Sequence, residues 1–231
     1  MIGILGGMGT QAGLDFCNKL AKLNRGKLDQ QYPMFVLYNK SNTPKRPENL
    51  KKYFNVLKAL VDGCKMLQKN KCKFIVMPCN TAHYWHKDIQ KKIKIPLISM
   101  PKEVYLDTKR TCKKNSTIGI LCTEATLKTN VYSDYFDKNF KLISPDKKIQ
   151  KNSVNKAIKL VKMGKVKEAE IALRPAVKYL IKKKCKKIIL GCTELPIAIF
   201  AYKSFRKAKE SKLFIDPNLL LAEVCMKKYK R

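Results

Sequence analysis

A chain of 231 residues with 45% apolar composition can bury one large or two modest hydrophobic cores. No stretch approaches the roughly 18 uninterrupted apolar residues of a membrane span, and the first apolar run has no basic segment before it, which argues against a signal peptide. The nine cysteines are odd in number and lack CxxC spacing. They indicate free thiols in a reducing compartment, so we expect a cytoplasmic protein.

The net charge of +33 has two interpretations. A basic surface is typical of proteins that bind nucleic acids or anionic membranes. However, only six of the 50 basic residues are Arg, the side chain preferred for bidentate contacts to phosphates and bases, and the lysines are spread along the whole chain. We therefore expect no specific nucleic-acid partner and no membrane. A lysine-rich nucleic-acid binder stays the alternative, and its affinity would fall steeply with salt.

Short apolar runs typical of strands alternate along the chain with longer segments of helical periodicity, which predicts an α/β protein with parallel sheets. The predicted strands are Ile2–Leu5, Met34–Tyr38, Phe74–Met77, Leu97–Ser99, Ile118–Leu121, Lys141–Ile143, Ile188–Leu190 and Leu213–Ile215. The predicted helices are Gly13–Asn24, Leu50–Gln68, Asn155–Met163 and Lys167–Lys183. Pro96, Pro101 and the polar stretch Lys109–Ser116 are expected to carry the crossover between the two halves of the chain.

Two segments of the chain repeat each other at an offset of 113 residues. Residues 71–79 read KCKFIVMPC and residues 184–192 read KCKKIILGC, and the letters IGIL occur at 2–5 and again at 118–121. The repeat predicts two similar α/β domains related by pseudo-two-fold symmetry. We expect one at 1–100, completed by about 211–231, and the other at 101–210, with the active site in the cleft between them.

Each repeat ends on a cysteine just past a predicted strand, at Cys79 and Cys192. The carboxyl ends of parallel strands are where open α/β sheets bind their ligands. A helix is expected to open at the first cysteine and to run roughly to Lys92, with Asn80 or Thr81 as its cap. A thiol at a helix N-terminus is expected to have its pKa lowered from about 8.5 toward neutrality. A buried core thiol is the alternative interpretation for either cysteine taken alone.

A pair of thiols facing one cleft suits the inversion of a carbon centre. One thiolate removes the α-proton from one face while the other thiol delivers a proton to the opposite face, and the roles exchange in the reverse direction. Acid–base groups work best when their pKa lies near the operating pH, which a tuned thiol can satisfy.

Four motifs together resemble the aspartate/glutamate racemase superfamily, and they span nearly the whole chain in the family's order. They are IGILGGMG at 2–9, PCNTAH at 78–83, TEATLKTNVY at 123–132 and GCTEL at 191–195. The aspartate racemase branch fits best, because glutamate racemases typically open with an Asp-Ser-Gly turn and carry His at the position of Glu194. The resemblance implies a cofactor-independent aspartate racemase that forms a homodimer. A racemase of glutamate or of broad specificity, and a maleate-isomerase-like enzyme in which Cys79 attacks a double bond, stay open.

The resemblance also implies roles for individual residues. Cys79 and Cys192 are the two acid–base groups, with His83 and Glu194 as possible auxiliary acids or bases, and Arg46 binds the side-chain carboxylate of the substrate. The substrate-binding residues that it implies are Met8, Arg46, Asn80, Thr81, Ala82, Thr126, Lys162 and Thr193. The chain departs from the family pattern at Thr10, Lys45 and Ala125, which leaves the choice of substrate open.

The sequence predicts no metal and no cofactor. His83 and His86 are the only histidines, whereas a zinc site needs three or four ligands, and metal binding would occupy the thiols proposed as bases. The turn at 6–9 lacks the third glycine of a dinucleotide-binding fingerprint. No lysine lies in a recognisable pyridoxal-phosphate motif.

Overall fold

The computed structural model describes residues 1–23, 28–46, 53–136, 139–201 and 212–229. Its chain divides into two units, each with its own parallel sheet: unit 1 comprises Met1–Glu103 and Asn218–Arg231, and unit 2 comprises Val104–Pro217. None of the helices within the described ranges is long and apolar enough to cross a membrane.

Unit 1 holds a three-stranded parallel sheet in the order β2-β1-β3. Its elements, in chain order, are β1 (Ile2–Gly6), α1 (Thr10–Leu23), a 3-10 turn (Asp29–Gln31), β2 (Phe35–Asn39), α2 (Tyr53–Lys69), β3 (Phe74–Val76), a 3-10 helix (Thr81–Trp85), α3 (His86–Gln90) and the first residues of α4 (Met100–Thr111).

Unit 2 holds a four-stranded parallel sheet in the order β5-β4-β6-β7. Its elements are β4 (Thr117–Cys122), α5 (Glu124–Lys128), α6 (Ser133–Phe136), β5 (Lys141–Ile143), α7 (Lys147–Ile149), a π-helical segment (Gln150–Asn155), α8 (Lys156–Lys162), α9 (Val166–Lys182), β6 (Lys187–Gly191), α10 (Leu195–Ala201) and β7 (Phe214–Ile215). The last helix, α11 (Pro217–Tyr229), returns to unit 1.

Each sheet is buried by helices that present an apolar face to it. All five residues of β1 are buried, as expected for a parallel strand covered on both sides. Helix α2 buries one face in a cluster of unit 1, and α11 joins β1 and α1 in another. The Asn218 amide donates to the Ala12 carbonyl and to the Asp15 carboxylate, each at 3.2 Å, and so ties α11 to α1.

The internal repeat is present in the structure as well as in the sequence. The order β2-β1-β3 in unit 1 corresponds to β5-β4-β6 in unit 2, and α2 and α9 each have 17 residues. A Cβ built on Gly3 would lie 3.2 Å from the Cys72 sulfur, and one built on Gly119 would lie 3.2 Å from the Cys185 sulfur. Each unit therefore packs a cysteine against a glycine of its first strand.

The turn that leads into each of these cysteines has the same geometry. Lys71 has φ of 58° and Lys184 has φ of 57°, so a lysine occupies the left-handed position after α2 and after α9. After α9, the Lys184 amide donates to the Ile181 carbonyl at 2.8 Å and the Cys185 amide to the Leu180 carbonyl at 3.2 Å. These two bonds form a Schellman motif, which ends the helix and directs the chain into the next strand.

The predicted fold class is confirmed, with differences in detail. The predicted strand at Leu97–Ser99 is wrong, because only an isolated pairing of Leu97 with Ile75 forms there. The expected crossover is largely helical: α4 includes Pro101 in its first turn, where proline leaves no helical hydrogen bond unmade. The helix predicted at Asn155–Met163 is α8, preceded by the π-helical segment.

Parts of three predicted segments lie outside the described residues. They are Asn24 at the end of the first predicted helix, 50–52 at the start of the second, and 211 and 230–231 within the segment expected to complete the first domain.

Candidate active site

Cys79 lies at the carboxyl end of β3 in unit 1. The strand ends at Val76, and a tight turn follows in which the Cys79 amide donates to the Met77 carbonyl at 2.7 Å. Cys79 is 6% exposed, and the next three residues, Asn80, Thr81 and Ala82, are buried with it. Four of the predicted site residues therefore occupy one short turn at the end of a buried strand.

The turn after Cys79 differs from the predicted helix cap. Asn80 has helical backbone angles, φ −59° and ψ −50°, and its side chain does not cap the 3-10 helix that begins at Thr81. A capping side chain requires an extended backbone at its own position, which explains the difference. The predicted helix to Lys92 is replaced by this 3-10 helix and α3, which ends at Gln90.

His83 connects the Cys79 turn to the start of α4. The Met100 amide donates to Nε2 of His83 at 3.1 Å, so Nδ1 carries the proton and donates to the Cys79 backbone oxygen at 2.9 Å. Burial, followed by the neighbouring His86, lowers the pKa of His83 to about 4. The ring is neutral and both of its nitrogens contact the backbone, which favours a positioning role over proton transfer for this residue.

The glycine-rich turn at 6–9 brings two more predicted residues together. Gly7 has φ of 86°, and a Cβ there would lie 2.3 Å from the Lys40 carbonyl carbon, so only glycine fits. The next residue, Met8, accepts a hydrogen bond at 2.5 Å from Nη2 of Arg46, whose Nη1 donates to the Pro44 carbonyl at 3.3 Å. The Arg46 Nε is buried, and none of the described residues accepts a hydrogen bond from it.

In unit 2, four predicted residues lie together at the end of β6. The Cys192 thiol donates to Oε2 of Glu194 at 3.0 Å, and the Thr193 hydroxyl is 3.4 Å from the same oxygen. Lys162, at the end of α8, places Nζ 3.6 Å from Oε1 of Glu194. The structure therefore links Cys192, Thr193, Glu194 and Lys162 through one carboxylate.

The expected lowering of the thiol pKa is wrong for Cys192. Burial, followed by the charge of Glu194 and the hydrogen bond to it, raises the pKa of the Cys192 thiol well above its usual value, and the nearby Lys162 opposes this only in part. Desolvation and a carboxylate both disfavour the thiolate. Cys192 therefore rests as a protonated thiol.

Thr126 lies at the end of the neighbouring strand β4, in the first turn of α5. The side chain of Thr123 caps this helix by accepting from the Thr126 amide at 3.2 Å, and the two hydroxyls are 3.0 Å apart. Thr126 is 2% exposed. Because β4 pairs with β6, Thr126 and Cys192 follow adjacent strands of one sheet.

Two polar residues near this edge were missed by the sequence analysis. Gln150 is 4% exposed, and its amide donates to the Cys122 carbonyl at 2.9 Å and to Oδ1 of Asn155 at 2.8 Å. Both residues belong to the π-helical segment, whose irregular period leaves no pattern in the sequence. Their only signal is that the polar stretch QKNSVN at 150–155 interrupts a run of lysines and apolar residues.

The remaining cysteines and acidic residues do not form a further centre in the described part of the chain. All nine cysteines are free. Within those ranges, no three His, Cys, Asp or Glu side chains come together as a metal site would require.

Residues 5–225 match the family described as Asp/Glu/Hydantoin racemase. This match covers nearly the whole chain. The chain belongs to the Asp/Glu/Hydantoin racemase family. The predicted superfamily is thereby confirmed.

Two curated relatives and one solved structure show the range of the family. A broad specificity amino-acid racemase, RacX from Bacillus subtilis (strain 168), is 29% identical over 199 residues, covering 84% of this chain and 86% of the relative. A glutamate racemase from Persephonella marina is 25% identical over 175 residues, covering 74% of this chain but only 65% of the relative. The structure of the Picrophilus torridus aspartate racemase superposes with a TM-score of 0.84 at 29% identity, over 99% of this chain and 94% of that one.

Proposed function

We propose that this chain is a cofactor-independent amino-acid racemase with aspartate as its preferred substrate, and that Cys79 and Cys192 are its two acid–base groups. The observation that carries the proposal is that the two cysteines occupy equivalent positions in the two units. Each cysteine is the last residue of a nine-residue repeat, follows a buried strand that flanks the first strand of its own sheet, and is itself buried. A reaction that needs one proton acceptor and one proton donor is served by such a duplicated unit.

The proposed scheme requires one cysteine to start as the acid and the other as the base. The hydrogen bond from Cys192 to Glu194 and the raised pKa of the Cys192 thiol support its role as the acid. In this direction the Cys79 thiolate takes the α-proton and becomes a thiol. Cys192 then gives its proton to the α-carbon from the other face and becomes a thiolate. The product is the opposite enantiomer, and because one proton is removed and one is added, its composition and oxidation state are unchanged.

Glu194 and Lys162 support the proton transfer at Cys192. When Cys192 has lost its proton, two negative charges would face each other across 3.0 Å, between the sulfur and Glu194. The ammonium of Lys162, 3.6 Å from Glu194, offsets part of that repulsion. We propose that, between turnovers, Glu194 passes a proton from water to the Cys192 thiolate while the Cys79 thiol releases its proton to water, which resets the enzyme for the same substrate enantiomer.

Arg46 supports the choice of an acidic substrate. Two of its guanidinium nitrogens donate to backbone oxygens of Met8 and Pro44, which hold it beside the glycine-rich turn. Each terminal nitrogen carries a second N–H that a carboxylate can accept, and the planar fork suits such a group. We propose that Arg46 binds the side-chain carboxylate of aspartate, and that Asn80, Thr81, Ala82 and Thr193 bind its α-carboxylate.

A racemase of broader specificity is the second candidate. The relative from Bacillus subtilis, whose alignment covers 84% of this chain, is described as a broad specificity amino-acid racemase. Lys45, which is exposed beside Arg46, is a second cation in the same loop. A more basic loop accepts acidic substrates of different length, since a flexible ammonium contacts carboxylates without strict geometry.

The proposal is tested by incubating the purified protein with L-aspartate, a chelator and no pyridoxal phosphate, and by measuring D-aspartate with chiral chromatography. In deuterated water the product should carry deuterium at the α-carbon. A panel of amino acids that includes glutamate separates aspartate specificity from broad specificity. If a well-folded sample neither racemises nor exchanges the α-proton of any of them, the proposed function is wrong.

Single serine variants test the two-thiol scheme. Cys79→Ser and Cys192→Ser should each reduce racemisation by at least about 100-fold, the usual range for loss of one acid–base group. Cys112→Ser, which alters a partly exposed cysteine of unit 2, is the matched control and should keep full activity. A stable thioether adduct on Cys79 after incubation with maleate would instead support an isomerase. The homodimer stays a prediction, which light scattering on the purified protein would test.

A further inference from the structure

The carboxamide of Gln150 has an orientation that its neighbours determine. Asn155 donates from Nδ2 to Oε1 of Glu124 at 2.8 Å, and a carboxylate only accepts, so Oδ1 of Asn155 faces Gln150. Gln150 must then donate from Nε2 to Asn155 at 2.8 Å, and its second N–H reaches the Cys122 carbonyl at 2.9 Å. The direction of every hydrogen bond in this network follows from Glu124, because its carboxylate can only accept.

This chain of hydrogen bonds joins three elements of unit 2. Gln150 and Asn155 are the first and last residues of the π-helical segment, Cys122 is the last residue of β4, and Glu124 opens α5. π-helical turns are rare in proteins, and many of those that do form lie at functional sites. Here the turn allows both carboxamides to reach the end of β4 from a separate part of the chain.

The same network leaves one acceptor of Gln150 unused. Its Oε1 is buried and has no hydrogen-bond partner among the described residues. A buried acceptor without a partner lowers stability, so the position is unfavourable for folding alone. One donor hydrogen of the amide is used on the last residue of β4, and the other on Asn155, which itself donates to Glu124 in α5. Both donors therefore serve the β4–α5 connection, the second through Asn155.

We propose that Gln150, together with Asn155, is a positioning residue of the racemase site that holds the β4–α5 connection and therefore Thr126. This inference rests on the proposed function. The connection runs from Cys122 to Thr126 in five residues, and Gln150 contacts its first residue while Asn155 contacts Glu124 in its middle. With both ends of the network attached, the hydroxyl of Thr126 keeps one position for the substrate.

The test is the steady-state kinetics of Gln150→Leu with aspartate, in the full chain. Loss of the network should raise KM by about tenfold, since small displacements of a binding group have effects of this size, and should change kcat less. Gln90→Leu is the matched control. Gln90 also bridges the backbone, accepting from the Leu97 amide at 2.7 Å and donating to the Ile95 carbonyl at 3.2 Å, but it lies in unit 1 at the end of α3. It should lower the melting temperature and leave KM unchanged.

A reversal of the network supplies the second test. Gln150→Glu alone removes both donors and should raise KM at least as much as Gln150→Leu. In the double variant with Glu124→Gln, the two bonds of Asn155 can reverse: the new amide at position 124 would donate to Asn155, and Asn155 would donate to the new carboxylate at position 150. The bond to the Cys122 carbonyl stays lost, because a carbonyl and a carboxylate only accept. A KM in the double variant at least about threefold lower than that of Gln150→Glu supports positioning through the Asn155 link, because a general loss of structure would not be repaired by a second substitution.

The outcomes separate this inference from the function on which it rests. A wild-type protein without racemase activity toward any amino acid overturns both. An active wild type whose KM is unchanged in Gln150→Leu overturns only the positioning role. A double variant whose KM is no lower than that of Gln150→Glu also overturns only the positioning role.

Discussion

The imidazole of His83 donates from Nδ1 to the backbone oxygen of Cys79, and the two atoms are 2.9 Å apart. The opposite nitrogen of the same ring accepts from the Met100 amide. A protonated imidazole would lose this acceptor, so the contact exists only with a neutral ring. The structure of the Cys79 turn is therefore coupled to the protonation state of a buried histidine.

Stability should fall as the pH is lowered from 7.5 to 5. Burial lowers the pKa of His83 to about 4 from a model-peptide value near 6.5, so the unfolded chain binds more protons between these two values. The stabilisation is complete above pH 6.5 and is lost progressively as the pH falls toward 4. The free energy of unfolding in urea should drop by about 2 kcal/mol from this residue between pH 7.5 and pH 5.

The variant His83→Gln isolates that contribution. It should be less stable than wild type at pH 7.5 and should lose about 2 kcal/mol less on acidification. His86→Gln serves as the control, because His86 contacts the backbone through a single nitrogen, at 2.8 Å from the Leu97 oxygen. The pKa of His86 is also lowered, chiefly by burial, so this variant loses its own contribution and the smaller part of the His83 shift that His86 causes, but keeps the larger part that burial causes. Equal acid sensitivity in wild type and His83→Gln would contradict the coupling.

Replacing Glu194 with Gln should lower the pKa of the Cys192 thiol. The substitution removes the charge and weakens the acceptor that add to the effect of burial, while keeping the size of the side chain. The pH dependence of alkylation, followed on the Cys192 peptide by mass spectrometry, measures the change. We also expect kcat to fall by about 100-fold, because the acid–base group loses its partner.

The control for this substitution is Glu168→Gln, which removes a carboxylate that pairs with Lys165 at 3.9 Å on the surface of α9. It should leave both the alkylation profile of Cys192 and kcat unchanged. An unaltered Cys192 profile in Glu194→Gln would show that burial alone sets the pKa.

The sheets of this protein could be predicted because buried parallel strands are continuous apolar runs. The predicted Ile118–Leu121 is β4 to within a residue at each end, and the predicted Ile188–Leu190 is β6 to within a residue at each end. The repeat also indicated that both Cys79 and Cys192 follow such strands, since a duplicated segment folds twice in the same way.

The features that were not predicted depend on side-chain directions in three dimensions. The spacing of Cys192 and Glu194 does not show that the carboxylate turns back to 3.0 Å from the sulfur, and this contact contributes to the raised pKa of the thiol. The π-helical segment was missed because one extra residue per turn removes the helical period. Helix α4 was missed because Pro101, which favours a break inside a helix, is tolerated in a first turn.

Lys184→Gly should stabilise the protein, although it removes a longer side chain. Lys184 has φ of 57°, a conformation that costs an L-residue about 1–2 kcal/mol and glycine very little. Part of that gain is offset by the greater freedom of glycine in the unfolded chain, so we expect a net stabilisation of about 0.5–1 kcal/mol. Differential scanning calorimetry should show a rise of about 2 °C in the melting temperature.

The preceding lysine provides the matched control, because Lys183→Gly removes the same charge from the adjacent position. Lys183 has φ of −77°, which any residue adopts, so this variant should lose about 0.5–1 kcal/mol. The two substitutions should thus shift the melting temperature in opposite directions. Shifts of the same sign would mean that charge, rather than backbone conformation, dominates at this turn.

Gly7→Ala and Gly164→Ala should differ in their effects on stability, although both glycines have positive φ. Gly164 has φ of 77° and nothing lies within 4 Å of a Cβ built on it, so alanine there should cost only the conformational strain of about 1–2 kcal/mol. A Cβ on Gly7 would lie 2.3 Å from the Lys40 carbonyl carbon and 2.6 Å from the Ser41 amide nitrogen. Both atoms belong to the backbone, so two chain segments must separate. We expect Gly7→Ala to lose at least about 2 kcal/mol more than Gly164→Ala in urea unfolding, and equal losses would show that the turn at Gly7 moves aside freely.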